Sequence, residues 1–227
     1  MSKNKYNILV TAIGGDIAQS IVKILRRSDF VDRIIGTDLS FDNPYFRFVD
    51  SFHIVPEAND RDYIKKMEEI IYSEKVDLVI PISEPELKIF WEANHNQHWE
   101  PARLVMPAGL ALPLCLDKFD TMEFLKKHDI SVPWTSLASA GNPPAVPCIL
   151  KDRWGWGSKS LQLIDDLESA NFFTKRRPNA VFQEKLLPGE EEYTCGIFRS
   201  SKGIINVVVL RRILFSGHTG KAVVVKD

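Results

Sequence analysis

The sequence predicts an α/β protein in two parts: an N-terminal open parallel sheet with helices on both faces, then an α+β domain. Three observations predict it. Short continuous apolar runs alternate with segments whose apolar residues recur at helical spacing throughout the first half of the chain. Near residue 112 that pattern gives way to longer strand-like runs joined by polar turns. The chain has 227 residues, 44% apolar and 26% charged, which is the composition of a globular protein long enough for real cores.

Residues 7–12 read as a buried strand, Gly14, Gly15 and Asp16 as its turn, and residues 17–25 as a helix with Ile17, Ile21, Ile24 and Leu25 at helical spacing. Strands follow at 33–38 and 51–55, then a helix at 62–73 with Ile64, Met67, Ile70 and Ile71 on one face. Two more strands fall at 77–81 and 103–106. Strands that are apolar throughout, rather than in alternation, are buried on both faces; the first domain is therefore a Rossmann-like parallel sheet. Asp117 caps a helix that runs on through His128. Residues 136–147, rich in Gly, Pro, Ser and Ala, read as a linker or hinge. A hairpin follows from residues 193–199 and 204–214 around Ser200-Ser201-Lys202-Gly203.

Composition excludes several classes of function. A net charge of -1 gives no footprint for nucleic acid or an acidic membrane surface. No run approaches the length of a membrane span, and residues 6–12 are too short for the apolar core of a signal peptide. Cys115, Cys148 and Cys195 are far apart in apolar contexts and read as buried free thiols of a cytoplasmic protein.

Two local patterns do not support the sites they suggest. The turn Thr11-Ala12-Ile13-Gly14-Gly15-Asp16, with Asp38 ending the second strand, is similar to a dinucleotide fingerprint, but Ala12 stands where the first glycine belongs. No Tyr-x-x-x-Lys pair accompanies it. Glu92, His95 and His98 have spacing for three ligands on one helical face, yet Asn94, Asn96 and Gln97 crowd them and Trp99-Glu100-Pro101 ends the helix. A solvated helix end is the better reading, and no metal-ligand set is assigned. His218 lies in a turn.

The chemistry concentrates between Cys148 and Cys195. Lys151 ends an apolar strand and presents a point charge suited to a phosphate oxygen. The loop at 154–160 holds Gly155, Gly157, Ser158 and Ser160, so its backbone can approach phosphates with N–H donors. Gln183-Glu184-Lys185-Leu186 can read an adenine edge with backbone groups, and Glu192 can accept from ribose hydroxyls. Taken singly, each has a bland alternative: a strand-end lysine, a hairpin turn, or a solvated acidic turn at Glu190, Glu191 and Glu192.

Their order, with Asp117-Lys118 upstream and Pro188-Gly189-Glu190-Glu191-Glu192-Tyr193-Thr194 downstream, resembles the ATP-grasp superfamily, with closest similarity to the carbamoyl-phosphate-synthase-like carboxylate–amine ligases. The resemblance implies a pre-ATP-grasp domain at 1–112 and an incomplete ATP-grasp domain at 113–227. The latter would hold a phosphate-lid subdomain at about 131–182 and part of a C-terminal subdomain at 183–227. It implies ATP as ligand, with Lys118 and Lys151 on the phosphates and Gly155, Gly157 and Ser158 in the closing loop. Glu184, with the Lys185 and Leu186 backbone, would take adenine, and Glu192 the ribose. Trp154 and Trp156 depart from the family's small-residue loop. Arg211 and Arg212 fall on opposite faces of one strand, and Arg212 is the residue expected at the acyl phosphate. Glu84, after the fourth strand, is the candidate for an amine substrate or, alternatively, the acid beside a helix cap. The family's Mg²⁺ ligands, an acidic residue and a Glu-x-Asn pair, are expected beyond Asp227.

The implied activity is ATP-dependent joining of a small-molecule carboxylate to an amine through an acyl phosphate, in a truncated or split form. The alternatives are a non-catalytic nucleotide-binding module or half of a two-chain enzyme, as a homo-oligomer or with a complementing C-terminal chain. An NAD-dependent oxidoreductase ranks last.

Overall fold

The structure, a computed structural model, describes residues 5–42, 44–93, 98–155, 160–186, 192–215 and 218–225. It comprises two compact units, Met1–Thr121 and Met122–Asp227.

The first unit carries a six-stranded sheet. Its strands are β1 (Tyr6–Val10), β2 (Val31–Asp38), β3 (Ser51–Ile54), β4 (Leu78–Ile80), β5 (His98–Trp99) and β6 (Ala102–Leu104), in the order β3-β2-β1-β4-β6-β5. Every pairing is parallel except β5 with β6. The two-residue β5 gives too short an apolar run to show in the sequence. Alternate residues of one strand serve opposite cores, as pleating dictates. Ile8, Val10 and Ile34 pack with Ala18, Val22 and Leu25 of α1 (Asp16–Leu25). Leu9, Ile35 and Val79 pack with Tyr63, Met67, Ile70 and Ile71 of α2 (Tyr63–Ser73) and Phe90 of α3 (Glu84–Glu92). Each such fully buried side chain contributes roughly 1.5–3 kcal/mol.

In α1 the buried face is Ala18-Val22-Leu25, while Ile17 and Ile24 are exposed. The helix is rotated part-way from the expected face: Ile21 and Leu25 still pack on the core, and the small Ala18 joins them there. Gly36 in β2 answers a similar constraint: a Cβ there would come within 2.8 Å of the Ile13 side chain.

The second unit, after α4 (Ala111–Leu116) and the α5 helix (Lys118–Lys127) that crosses the boundary, is antiparallel. Strands β7 (Thr135–Leu137), β8 (Cys148–Asp152), β9 (Gln162–Ile164) and β10 (Ala180–Glu184) form a sheet in the order β7-β10-β8-β9. Cys148, Leu150, Ala180 and Phe182 on one face pack with Ala170 of α6 (Leu167–Arg176). The expected linker at 136–147 is corrected here. Its first residues belong to β7, which pairs with β10, and Ala138 is fully buried. A separate three-stranded sheet contains β11 (Glu192–Arg199), β12 (Ile205–Phe215) and β13 (His218–Val224). Its first two strands are the expected hairpin; β13 was not foreseen.

All three cysteines are free, but only Cys148 is buried, while Cys115 and Cys195 are exposed, contrary to the expectation. Burial pushes the Cys148 thiol above its ordinary value. Among the described residues no helix is long and apolar enough to cross a membrane.

Candidate functional site

Pleating gives the β7-β10-β8-β9 sheet a second face, opposite the packed core. Lys151, Ile149, Val181, Gln183, Thr135 and Leu137 share it by register: Val181 lies opposite Lys151 and Leu137, and Gln183 opposite Ile149 and Thr135. Lys151, Gln183 and Thr135 are each half-buried. The Lys151 ammonium donates to Gln183 Oε1 at 2.5 Å, and Gln183 Nε2 donates to Thr135 Oγ1 at 2.8 Å. The strand-end lysine is therefore held within a side-chain network.

The glycine-bearing loop leaves from the end of β8. Gly155 has φ +129°, a conformation that side-chain-bearing residues rarely adopt, so a glycine is required there. The ends of the loop are fastened. Ser160 Oγ accepts from Asp152 N at 3.1 Å, and Arg177 donates to Asp152 Oδ1 at 2.6 Å. The Arg153 guanidinium sits 4.7 Å over the Trp154 ring. The other loop residues named from the sequence, Trp156, Gly157 and Ser158, lie outside the described residues, as do Glu190 and Glu191.

Glu184 ends β10 on the core-facing parity, and its carboxylate accepts from Trp134 N at 3.2 Å while its own N–H donates to Trp134 O at 2.9 Å. Its side chain is thus committed to fixing the entrance to β7, which leaves backbone groups at Lys185 and the exposed Leu186 as the hinge elements. Glu192 begins β11 directly opposite Arg212 of β12, so the two share one face of the three-stranded sheet, and Arg211 shares the other with Tyr193. The Arg212 Nε is buried and has no hydrogen-bond partner among the described residues.

In the first unit, Lys118 opens α5 behind the buried Asp117, whose Oδ1 accepts from Phe119 N and Asp120 N, both at 3.0 Å. That is the expected cap. Glu84 is the first residue of α3, after Ser83, which caps the helix reciprocally with Glu86. Desolvation raises the Glu84 carboxyl, and the Lys118 charge opposes the rise. Glu84 thus stands beside a helix cap, with the Lys118 charge acting on its carboxyl.

The turn after β1 closes on itself. Gly14 N donates to Asp38 Oδ2 at 2.7 Å, and Leu39 N donates to Asp38 Oδ1 at 2.7 Å. Ala12 adopts φ +48° where the dinucleotide motif uses glycine. The acidic residue that such a motif would offer to a ribose is here bonded to its own loop. The three-ligand spacing fails as well: α3 ends at Glu92, His98 lies in β5, and His95 is outside the described residues. Among the described residues no group of three or more His, Cys, Asp or Glu can hold a metal ion.

Two features escaped the sequence reading: the side-chain contact of Gln183, read there only for its backbone, with Thr135, and the burial of Glu86. Gln183 and Thr135 are 48 residues apart, and no local signal joins them. Glu86, buried in the first turn of α3, was legible only as the last residue of a Ser-x-x-Glu capping box.

Residues 8–100 match the family described as PylC-like, N-terminal domain. None of the curated proteins matches the sequence. Among solved structures, the chain is similar to N5-carboxyaminoimidazole synthetase from Staphylococcus aureus complexed with ADP, at 17% identity and TM-score 0.66 over 96% of this chain and 58% of that one. It is similar to L-amino acid ligase from Bacillus licheniformis at 13% identity and TM-score 0.67, over 100% of this chain and 56% of that one. Biotin carboxylase from Campylobacter jejuni aligns at 15% identity and TM-score 0.62, over 91% of this chain and 50% of that one. The chain therefore has the fold that its resemblance to the ATP-grasp ligases implies. It spans 50–58% of the length of these three structures.

Proposed function

We propose that the chain binds ATP on its second unit and serves ATP-dependent joining of a carboxylate to an amine. The observation that carries this reading is the second face of the β7-β10-β8-β9 sheet, where Lys151 stands away from the packed core and a loop requiring glycine leaves the same strand. Lys151 and the backbone of Gly155, Gly157 and Ser158 take the phosphates, and Lys118 is assigned to them as a further cation. Backbone groups of Lys185 and Leu186, following Glu184, take adenine, and Glu192 takes the ribose. In the reaction a substrate carboxylate oxygen attacks the γ-phosphorus, ADP leaves, and the amine nitrogen then attacks the acyl carbon and expels phosphate. Catalysis of this kind is mainly positioning and charge neutralisation. Arg212, with its unpaired buried Nε, is suited to the acyl phosphate, and Glu84 to the incoming amine. Mg²⁺ is the customary partner of the triphosphate, but the described residues offer it no group of three or more His, Cys, Asp or Glu. With ATP as its ligand, the protein works in the cytoplasm.

Titration of the 227-residue chain with ATP tests the reading. The expected result is saturable binding that Lys151→Ala weakens roughly tenfold, as loss of a charge-assisted contact does. Absence of saturable binding overturns it. Phosphate release from MgATP that requires both a carboxylate and an amine tests the reaction. A second reading, binding without turnover unless a further segment or chain completes the site, is favoured by the exposure of Ile197, Phe198 and Val207 on the three-stranded sheet. Under it, the purified chain binds ATP but releases no phosphate.

A further inference from the structure

We infer that Gln183 is a positioning residue for Lys151, held in one orientation by Thr135, and that its neutral amide fixes the ammonium for a polyanionic ligand without adding negative charge. The inference rests on the nucleotide reading above.

The geometry sets a direction on the network. Thr135 Oγ1 donates its single proton to Pro133 O at 3.2 Å, and a carbonyl oxygen can only accept. The hydroxyl oxygen is then left as an acceptor, so the amide nitrogen of Gln183 must face it, at 2.8 Å. That choice turns Gln183 Oε1 towards the Lys151 ammonium. Three adjacent strands, β7, β10 and β8, thus pass an orientation from a backbone carbonyl to a cation. Lysine ends in a compact charge on a flexible four-carbon stem, and holding it in advance removes part of the ordering cost of binding. An amide oxygen holds it without adding negative charge. A glutamate at this position would hold it equally well and would place a negative charge beside the phosphate.

A network that only pinned the strands together would affect every ligand alike, and this supplies the test. The 227-residue chain and its variants are titrated with ATP and with adenosine, which carries no phosphate. Gln183→Met keeps the length of the side chain and removes the acceptor. Its ATP affinity is expected to fall roughly tenfold with adenosine affinity unchanged. Gln183→Glu is expected to fall at least as far for ATP alone. Thr135→Val frees the amide to turn over and gives a smaller loss in the same direction, and Thr135→Ser restores binding. If Gln183→Met does not fold, as judged by its melting transition, the contrast of Thr135→Val with Thr135→Ser carries the test. Equal losses for ATP and adenosine, or undiminished ATP binding by Gln183→Met and Thr135→Val, overturn the inference while leaving the nucleotide reading intact. An unsubstituted chain that binds no ATP overturns both.

Discussion

The carboxylate of Glu86 is buried in the first turn of α3, where Thr11 Oγ1 donates at 2.6 Å, Tyr63 OH at 2.7 Å and Ser83 Oγ at 2.7 Å. These donors come from three parts of the sheet edge: the end of β1, the start of α2 and the turn into α3. A buried charge is tolerated only when its lone pairs are filled, and here hydroxyl groups fill them. Removing the carboxylate strands three donors, so Glu86→Ala should cost about 3 kcal/mol or more in urea unfolding, and Tyr63→Phe about 1.5–3 kcal/mol. Burial, then the charge of Glu86 and the hydrogen bond to it, push the Tyr63 phenol far above its ordinary value of 10.0. The folded state therefore keeps that proton where the unfolded chain gives it up. This stability is fully present below pH 10 and is lost as pH rises beyond it. Unfolding free energies measured from pH 8 to 11 should decline more steeply for the unsubstituted chain than for Tyr63→Phe; equal slopes would contradict the assignment. In the sequence Ser83 and Glu86 read only as a helix start, because the depth of a side chain is a property of its neighbours and not of its spacing.

At the level of elements, strand identity was legible because runs such as Ile8-Leu9-Val10 are apolar on both faces, which only a covered parallel sheet requires. The face of α1 was less so. Of the expected face Ile17, Ile21, Ile24 and Leu25, Leu25 is buried and Ile21 packs against the core, whereas Ile17 and Ile24 are exposed and Ala18 and Val22 complete the buried stripe. Residues 136–147 misled because Gly, Pro, Ser and Ala serve equally in a linker and in the tight connection that follows β7. On the other side of the first sheet, Glu74 at the end of α2 ties three elements together. It bonds Ser51 and His53 of β3 and pairs with Arg33 of β2 at 2.9 Å. Desolvation alone would raise this carboxyl, but hydrogen bonds from Ser51 and His53 and the charge of Arg33 carry it below its ordinary value of 4.5. A depressed carboxyl contributes stability above its unfolded value and loses it as pH falls. Glu74→Gln is therefore expected to be less stable than the unsubstituted chain at pH 7, with the gap closing as pH drops from 5 towards 3. Denaturant titrations at each pH check this, and a gap that stays constant would count against it.

For the molecule as a whole, the two units solve the burial problem differently. The first covers both faces of its sheet with helices, in two separate cores. In the second, the β11-β12-β13 sheet leaves large apolar side chains in solvent: Ile197 is 68% exposed, Phe198 62%, and Ile205 and Val207 57% each. By register Tyr193, Cys195, Ile197, Val207, Val209 and Ile205 fall on one face, between Arg199 and Arg211 at its two ends, and form a contiguous patch, while Phe198 lies on the other face. Such a patch gains about 25 cal/mol for each Å² of apolar surface it covers, which favours association with another apolar surface, including a second copy of the chain. The unsubstituted chain is accordingly expected to increase in mass with concentration when light scattering follows gel filtration. Ile197 and Val207 lie directly opposite one another, so Ile197→Glu with Val207→Lys places complementary charges on the patch and preserves the strand pairing. That double variant should remain monomeric over the same range with its circular dichroism unchanged. Concentration-independent mass in the unsubstituted chain, or identical association in the variant, would show that the exposed sheet does not drive assembly.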